Sequence, residues 1–162
     1  MDVLALGASK NGYLAAEAIL VFRKELVPGM QERRKRSGHL LSKGRFFGSQ
    51  ILAWLDNGLW LELARHANRQ AAELARRLAT VPAVSLAWPV QANEIFVVMP
   101  TATYEHLQRQ GAECYEWYSD ALPSGRALKS GETFVRLVCS FATTQDHIDQ
   151  LMAQLQGLPE AG

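Results

Sequence analysis

The chain switches several times between a two-residue and a roughly 3.6-residue rhythm of apolar positions, and these switches divide it into elements. Val3 to Leu6 is an apolar run that stops at Gly7-Ala8-Ser9, which predicts a buried strand ending on a small-residue turn. Ala15 to Phe22 predicts a second strand, buried on both faces at Ala18 to Phe22, before a charged segment that stops at Pro28-Gly29. From about Ser42 the pattern turns helical and runs to Asp56-Asn57-Gly58, a helix-stop signal. A second helix is expected from Leu59 to about Ala79, because Leu63, Ala67, Ala71, Leu74 and Leu78 fall on one face. That stripe reads as core packing.

Val81-Pro82 breaks the second helix, and the remainder reads as an α/β unit. Strands are expected at Glu94 to Met99, Cys114 to Tyr118 and Thr133 to Phe141. Helices are expected at Thr103 to Gln110, closed by Gly111, and at Thr144 to Gln156, with Thr143 or Thr144 as N-cap and Asp146 in the first turn. Leu122 to Gly131, with Pro123, Ser124 and Gly125, reads as a loop or hairpin. Three segments follow: 1–41, 42–80 and 81–162.

At 162 residues, 48% hydrophobic and 20% charged, the chain can bury one sizeable core or two small ones. A net charge of +1 gives no global attraction to nucleic acid or membrane. No apolar run reaches the roughly 18 residues a spanning helix needs, and Met1-Asp2-Val3 lacks the cationic start of a signal peptide. A soluble, cytoplasmic protein is the expectation. Cys114 and Cys139 have no metal-like spacing, so buried free thiols are expected; His39, His66, His106 and His147 are scattered and suggest no metal site.

Three features carry candidate chemistry. Lys10 follows the apolar run on the Gly7-Ala8-Ser9 turn, where it is either an ordinary solvated side chain or a nucleophilic amine presented at a strand end. An amine attacks a carbonyl only when neutral, so a catalytic lysine must be desolvated or placed near other cations. Residues 23–45 hold eight of the seventeen Lys and Arg, with Arg33-Arg34-Lys35-Arg36 contiguous. The cluster is open to three readings: a solvated face, a nucleic-acid patch, which the absence of interleaved aromatics disfavours, or an anion site. Arg45, beside Phe46 and Phe47 at a helix start, is the sharper anion candidate. Arg136 interrupts a strand on the side of Phe134 and Val138 and so needs an acceptor. Read from the residues alone, that acceptor is an acid such as Glu94 or Glu132.

The segment Asp2-Val-Leu-Ala-Leu-Gly-Ala-Ser-Lys10-Asn-Gly, with Ala16-Glu-Ala-Ile-Leu-Val-Phe22, resembles the cofactor-lysine segment of the low-specificity L-threonine aldolases, a pyridoxal-phosphate-dependent family of β-eliminating lyases. Gln31 to Phe47 is similar to the basic loop and helix start that follow in that family, and Phe134-Val-Arg136-Leu-Val resembles its late strand with a substrate-binding arginine. At Leu6, Ala8 and Ser9 the family often has Phe, Gly and Thr, conservative changes that leave the lysine in place.

The resemblance implies the carboxy-terminal part of a fold-type I pyridoxal-phosphate-dependent fold: the end of the large-domain sheet with the catalytic lysine (1–41), linking helices (42–80) and a small α/β domain (81–162). It further implies Lys10 as the Schiff-base residue, Arg136 as the holder of the substrate α-carboxylate, and Arg45 and Lys35 as phosphate ligands. The implied reaction cleaves threonine or allo-threonine to glycine and acetaldehyde. Members of the family are roughly twice this long and carry, upstream of the lysine, a phosphate loop, a ring-stacking side chain and an Asp in an Asp-x-x-Arg setting. No Asp-x-x-Arg occurs here. The expected partners are therefore an amino-acid substrate and either further copies of the chain or a complementing N-terminal half, with neither nucleic acid nor membrane. Two rivals remain open: a non-catalytic remnant or assembly module, and a different fold-type I lyase or transaminase.

Overall fold

The computed structural model describes residues 1–156. Two compact units make up the chain, Met1–Leu63 and Ala64–Gly162.

The first unit opens with an antiparallel ribbon, β1 (Val3–Gly7) and β2 (Glu17–Val21), in the register Val3↔Val21 to Gly7↔Glu17. Between them the chain makes a single 3₁₀ turn at Ser9–Asn11. Then come a short helix α1 (Met30–Arg36), a longer one α2 (Gly44–Leu55), and the start of α3 (Leu59–Leu78). Asp56-Asn57-Gly58 separates the last two as a stop, with Asn57 at φ 52° and Gly58 at φ 74°.

The strands form where the apolar runs predict them, but burial does not follow. One ribbon face, with Val3, Ala5 and Ile19, is open to solvent, and the other, with Leu4, Leu6 and Ala18, is only half-buried. Ile19 is 62% and Phe22 57% exposed. The expectation of strands buried on both faces is thus corrected. A continuous apolar run records what a strand is built to be covered by, and this ribbon has no further strand beside it among the described residues. A second difference lies in the basic segment, where α1 forms over Met30–Arg36. Its four cationic residues fill the last turn, the end of the helix dipole that favours positive charge.

The second unit is a four-stranded antiparallel sheet with helices on one face. The strands are β3 (Ser85–Leu86), β4 (Glu94–Pro100), β5 (Tyr115–Glu116) and β6 (Glu132–Val138), in the order β3-β4-β6-β5. The helices are the body of α3, α4 (Thr101–Arg109) and α5 (Gln145–Gln156). Strand alternation sends Ile95, Val97, Met99, Val135 and Leu137 to the helical side. There they meet Ala71, Leu74 and Leu78 of α3, Leu107 of α4, and Ile148, Met152 and Leu155 of α5.

Most of the predicted stripe on α3 is this contact: Ala71, Leu74 and Leu78 join the core, while Ala67 is buried and Leu63 half-buried outside that cluster. Arg77 of α3 pairs with Asp149 of α5, whose carboxyl is held below its usual range by hydrogen bonds from Arg77 and Gln145. β6 ends at Val138, short of the expected Phe141: Cys139 N–H still donates to Asn93 O, but Cys139 O accepts from the Asn93 side-chain Nδ2 and Ser140 N–H turns to Thr143 Oγ1. Thr144 Oγ1 then accepts from His147 N–H and caps α5.

Alternate residues of the same strands point to the other face. Ala87, Val98 and Phe134 form a smaller core there, with Phe96, Trp117, Leu122 and Leu128 packed around it. Cys114 and Cys139 are buried free thiols, as expected.

Candidate functional site

Lys10 lies in the 3₁₀ turn between β1 and β2. Ala8, almost fully buried, is the pivot: its carbonyl accepts from Asn11 N–H at 2.9 Å and Tyr13 N–H at 3.0 Å. Gly12 closes the turn at φ 105°, a left-handed conformation that side chains disfavour. A Cβ on Gly7 would meet only the Glu17 carboxylate, the far end of an exposed, flexible side chain that can move aside.

The turn is held from outside by residues that sequence reasoning did not single out. Trp54 Nε1–H donates to Asn11 O at 2.9 Å, and Asn11 Nδ2 donates to Trp60 O at 3.1 Å. Gln50 Oε1 accepts from Leu14 N–H and Ala15 N–H at 3.2 and 3.3 Å. Tyr13 stacks at a tilt on Trp54, centroids 5.0 Å apart; its hydroxyl has no hydrogen-bond partner among the described residues, and burial pushes its pKa up. Trp54, buried in a unit with few buried side chains, was the available signal: a tryptophan in a half-exposed helix needs a partner for its N–H.

Lys10 is exposed, and among the described residues its amine makes no hydrogen bond or ion pair. Arg45 lies in the first turn of α2, the helix whose Gln50 and Trp54 grip the lysine turn, so the structure brings these two predicted residues onto connected elements. Its guanidinium lies 5.4 Å from the Phe46 ring centroid, and no side chain caps the α2 N-terminus. Lys35 sits on exposed α1, with no hydrogen bond linking that helix to the turn among the described residues. Among the described residues no acid pairs with Lys10 or Arg45, which stand on connected elements, and no contact brings Lys35 to them.

Arg136 belongs to the second unit. It faces the smaller core, with Phe96 directly across on β4 and Tyr115 across on β5. Its guanidinium carbon lies 4.2 Å from the Trp117 ring centroid. Nη1 approaches Glu94 Oε1 at 3.4 Å, so one of the two acids suggested by sequence is the observed neighbour and Glu132 is not. Nε is buried with no hydrogen-bond partner among the described residues. No group of His, Cys, Asp and Glu among the described residues could hold a metal, and no helix among them is long and apolar enough to cross a membrane.

No family model matches the chain. Its mixed α/β make-up is that of the carboxy-terminal part of a fold-type I pyridoxal-phosphate-dependent enzyme. Over nearly its whole length the sequence corresponds to the carboxy-terminal part of low-specificity L-threonine aldolases. It is 34% identical over 161 residues to that of Pseudomonas sp. (strain NCIMB 10558), matching 99% of this chain and 43% of the relative. It is 35% identical over 156 residues to that of Pseudomonas aeruginosa, matching 96% and 42%. Leishmania major threonine aldolase superposes with a TM-score of 0.83 at 27% identity, over 96% of this chain and 42% of that one. The chain thus spans about two-fifths of the length of the relatives it matches, at 43% and 42%.

Proposed function

We propose that this chain supplies the lysine-bearing and carboxylate-binding part of a pyridoxal-phosphate-dependent aldehyde-lyase that cleaves threonine or allo-threonine to glycine and acetaldehyde. The observation that carries the reading is Lys10: a free amine on a turn that Ala8, Gly12, Asn11, Gln50 and Trp54 hold in place, inside a segment aligned with threonine aldolases. When bound, pyridoxal phosphate supplies an electron sink for breaking the Cα–Cβ bond. Lys10 is assigned to hold the cofactor covalently, Arg45 and Lys35 to neutralise its phosphate, and Arg136 to grip the substrate α-carboxylate and so orient the bond that breaks.

The resemblance to threonine aldolases implies that the groups holding the cofactor ring belong to the three-fifths of the relatives that this chain does not match. Activity therefore requires that part as well, in the same polypeptide or in a complementing one, and we place the assembled enzyme in the cytoplasm as an oligomer. The direct test is borohydride trapping of pyridoxal phosphate on the chain followed by peptide mapping. Label concentrated at Lys10, and lost in Lys10→Ala, is expected. Label spread evenly over the lysines, unchanged in Lys10→Ala, would sink the assignment. Addition of the amino-terminal part of the Pseudomonas aeruginosa relative is then expected to yield threonine cleavage.

A further inference from the structure

Arg136 is poorly satisfied for a half-buried cation. A guanidinium has five N–H donors in a planar fork, and a carboxylate that matches it makes two short bonds of about 2.7–2.9 Å. Among the described residues Glu94 offers one contact at 3.4 Å to Nη1, while Nε is buried and finds no acceptor. The two side chains are 28% and 43% exposed, so solvent screens the pair and little holds it closed.

The arginine is fixed by something else. Glu94 reaches it diagonally from the end of β4, where Glu94 pairs with Val138 and Phe96 pairs with Arg136. From the opposite side Trp117, whose backbone N–H donates to Phe134 O at 2.7 Å, lays its ring against the guanidinium. Trp117 is in turn held by Phe96, 6.0 Å away, and Phe96 by Phe134 at 5.9 Å. The cation therefore has a stable aromatic platform and a loosely attached carboxylate.

We infer that Glu94 is an exchangeable internal carboxylate, occupying the fork of Arg136 until a ligand carboxylate displaces it, and that Trp117 is the positioning residue that keeps the guanidinium in place during the exchange. The inference rests on the reading of Arg136 as a carboxylate holder. It gives Glu94 a role in specificity: a monocarboxylate replaces one negative charge by another, whereas a second carboxylate on the ligand would meet the displaced Glu94.

The test is an acetate titration of the ¹⁵N-labelled full chain at constant ionic strength, following the arginine Nε–H resonances, with Arg136→Lys identifying the relevant peak. A saturable shift of the Arg136 signal is expected. In Glu94→Gln the midpoint is expected to fall roughly three- to fivefold, the competition an exposed ion pair can supply. In Trp117→Leu it is expected to rise, with partial recovery in Trp117→Phe. Glu94→Asp, whose shorter arm reaches the fork less well, is expected to lower the midpoint too, and it decides the matter where Glu94→Gln fails to fold. An unchanged midpoint in the Glu94 variants, with a lowered melting temperature, overturns the exchange and leaves Arg136 as a carboxylate binder. Absence of any saturable shift in wild type and variants overturns both.

Discussion

Gly12, at φ 105°, lies so close to Leu63 that a Cβ built on it would be 2.6 Å from Leu63 Cδ1. The glycine that closes the lysine turn is thus favoured by its backbone conformation, and a Cβ there would in addition displace the end of the Leu63 side chain. Gly12→Ala is expected to cost about 1–2 kcal/mol for the left-handed conformation and a further amount for displacing Leu63. Urea denaturation of Gly12→Ala in wild-type and Leu63→Ala backgrounds separates the two. A smaller penalty in the Leu63→Ala background is expected; equal penalties would show that Leu63 yields without cost.

How much of this was legible in the sequence depended on whether each signal was local. The turn at Lys10 was legible because Gly7, Ala8 and Gly12 carry their conformational meaning with them. Most of the α3 stripe was legible because Ala71, Leu74 and Leu78 meet their partners with helical periodicity. Burial of β1 and β2 was not, since whether Ile19 is covered depends on strands elsewhere. The grip of Gln50 and Trp54 on the turn joins residues 35 to 43 positions apart, and no spacing rule marks it. Arg136 was half legible: strand alternation set its face and suggested Glu94, but the Trp117 stack arises only when β5 pairs with β6.

Arg136→Leu separates anchoring from binding. Because the Glu94 partner is 43% exposed and the contact is single, its loss is expected to cost less than about 1 kcal/mol of unfolding free energy, with about 0.5–1 kcal/mol more for the contact with Trp117. Amino-acid affinity of the assembled enzyme is expected to fall strongly, with cofactor loading retained. A stability loss of several kcal/mol with unchanged affinity would show that the pair with Glu94 is structural.

Cys139 gives the second unit a defined alkaline limit. Burial pushes its thiol from 9.0 up to about 11, and it pushes Cys114 in the same direction. The folded state thus keeps its protons where the unfolded chain has lost them, so stability is complete below about pH 9 and falls as pH rises towards 11. The shift corresponds to a loss of up to about 3 kcal/mol across that window. Urea midpoints at rising pH are expected to decline there, and Cys139→Ala to flatten the decline without removing the part due to Cys114. An undiminished slope in Cys139→Ala would assign the alkaline loss elsewhere.

Among the described residues the ribbon of β1 and β2 has no further strand at either edge; Val3 at 44% and Ile19 at 62% exposure lie on its open face, and Phe22, just past β2, is 57% exposed. Unpaired edges with apolar side chains template pairing with other chains, and lysine on such a strand opposes it. The purified chain is therefore expected to sediment as associated species or to be poorly soluble. Ile19→Lys combined with Phe22→Ser is expected to shift it towards monomer while leaving the second unit folded, as judged by an unchanged near-ultraviolet signal from its tryptophans. If the ribbon is the associating surface, the amino-terminal part of the Pseudomonas aeruginosa relative should suppress association of the wild-type chain when mixed with it, because cover by that part removes the same edges. A wild-type chain that sediments as monomer, or association that persists in the double variant, would exclude the ribbon as that surface.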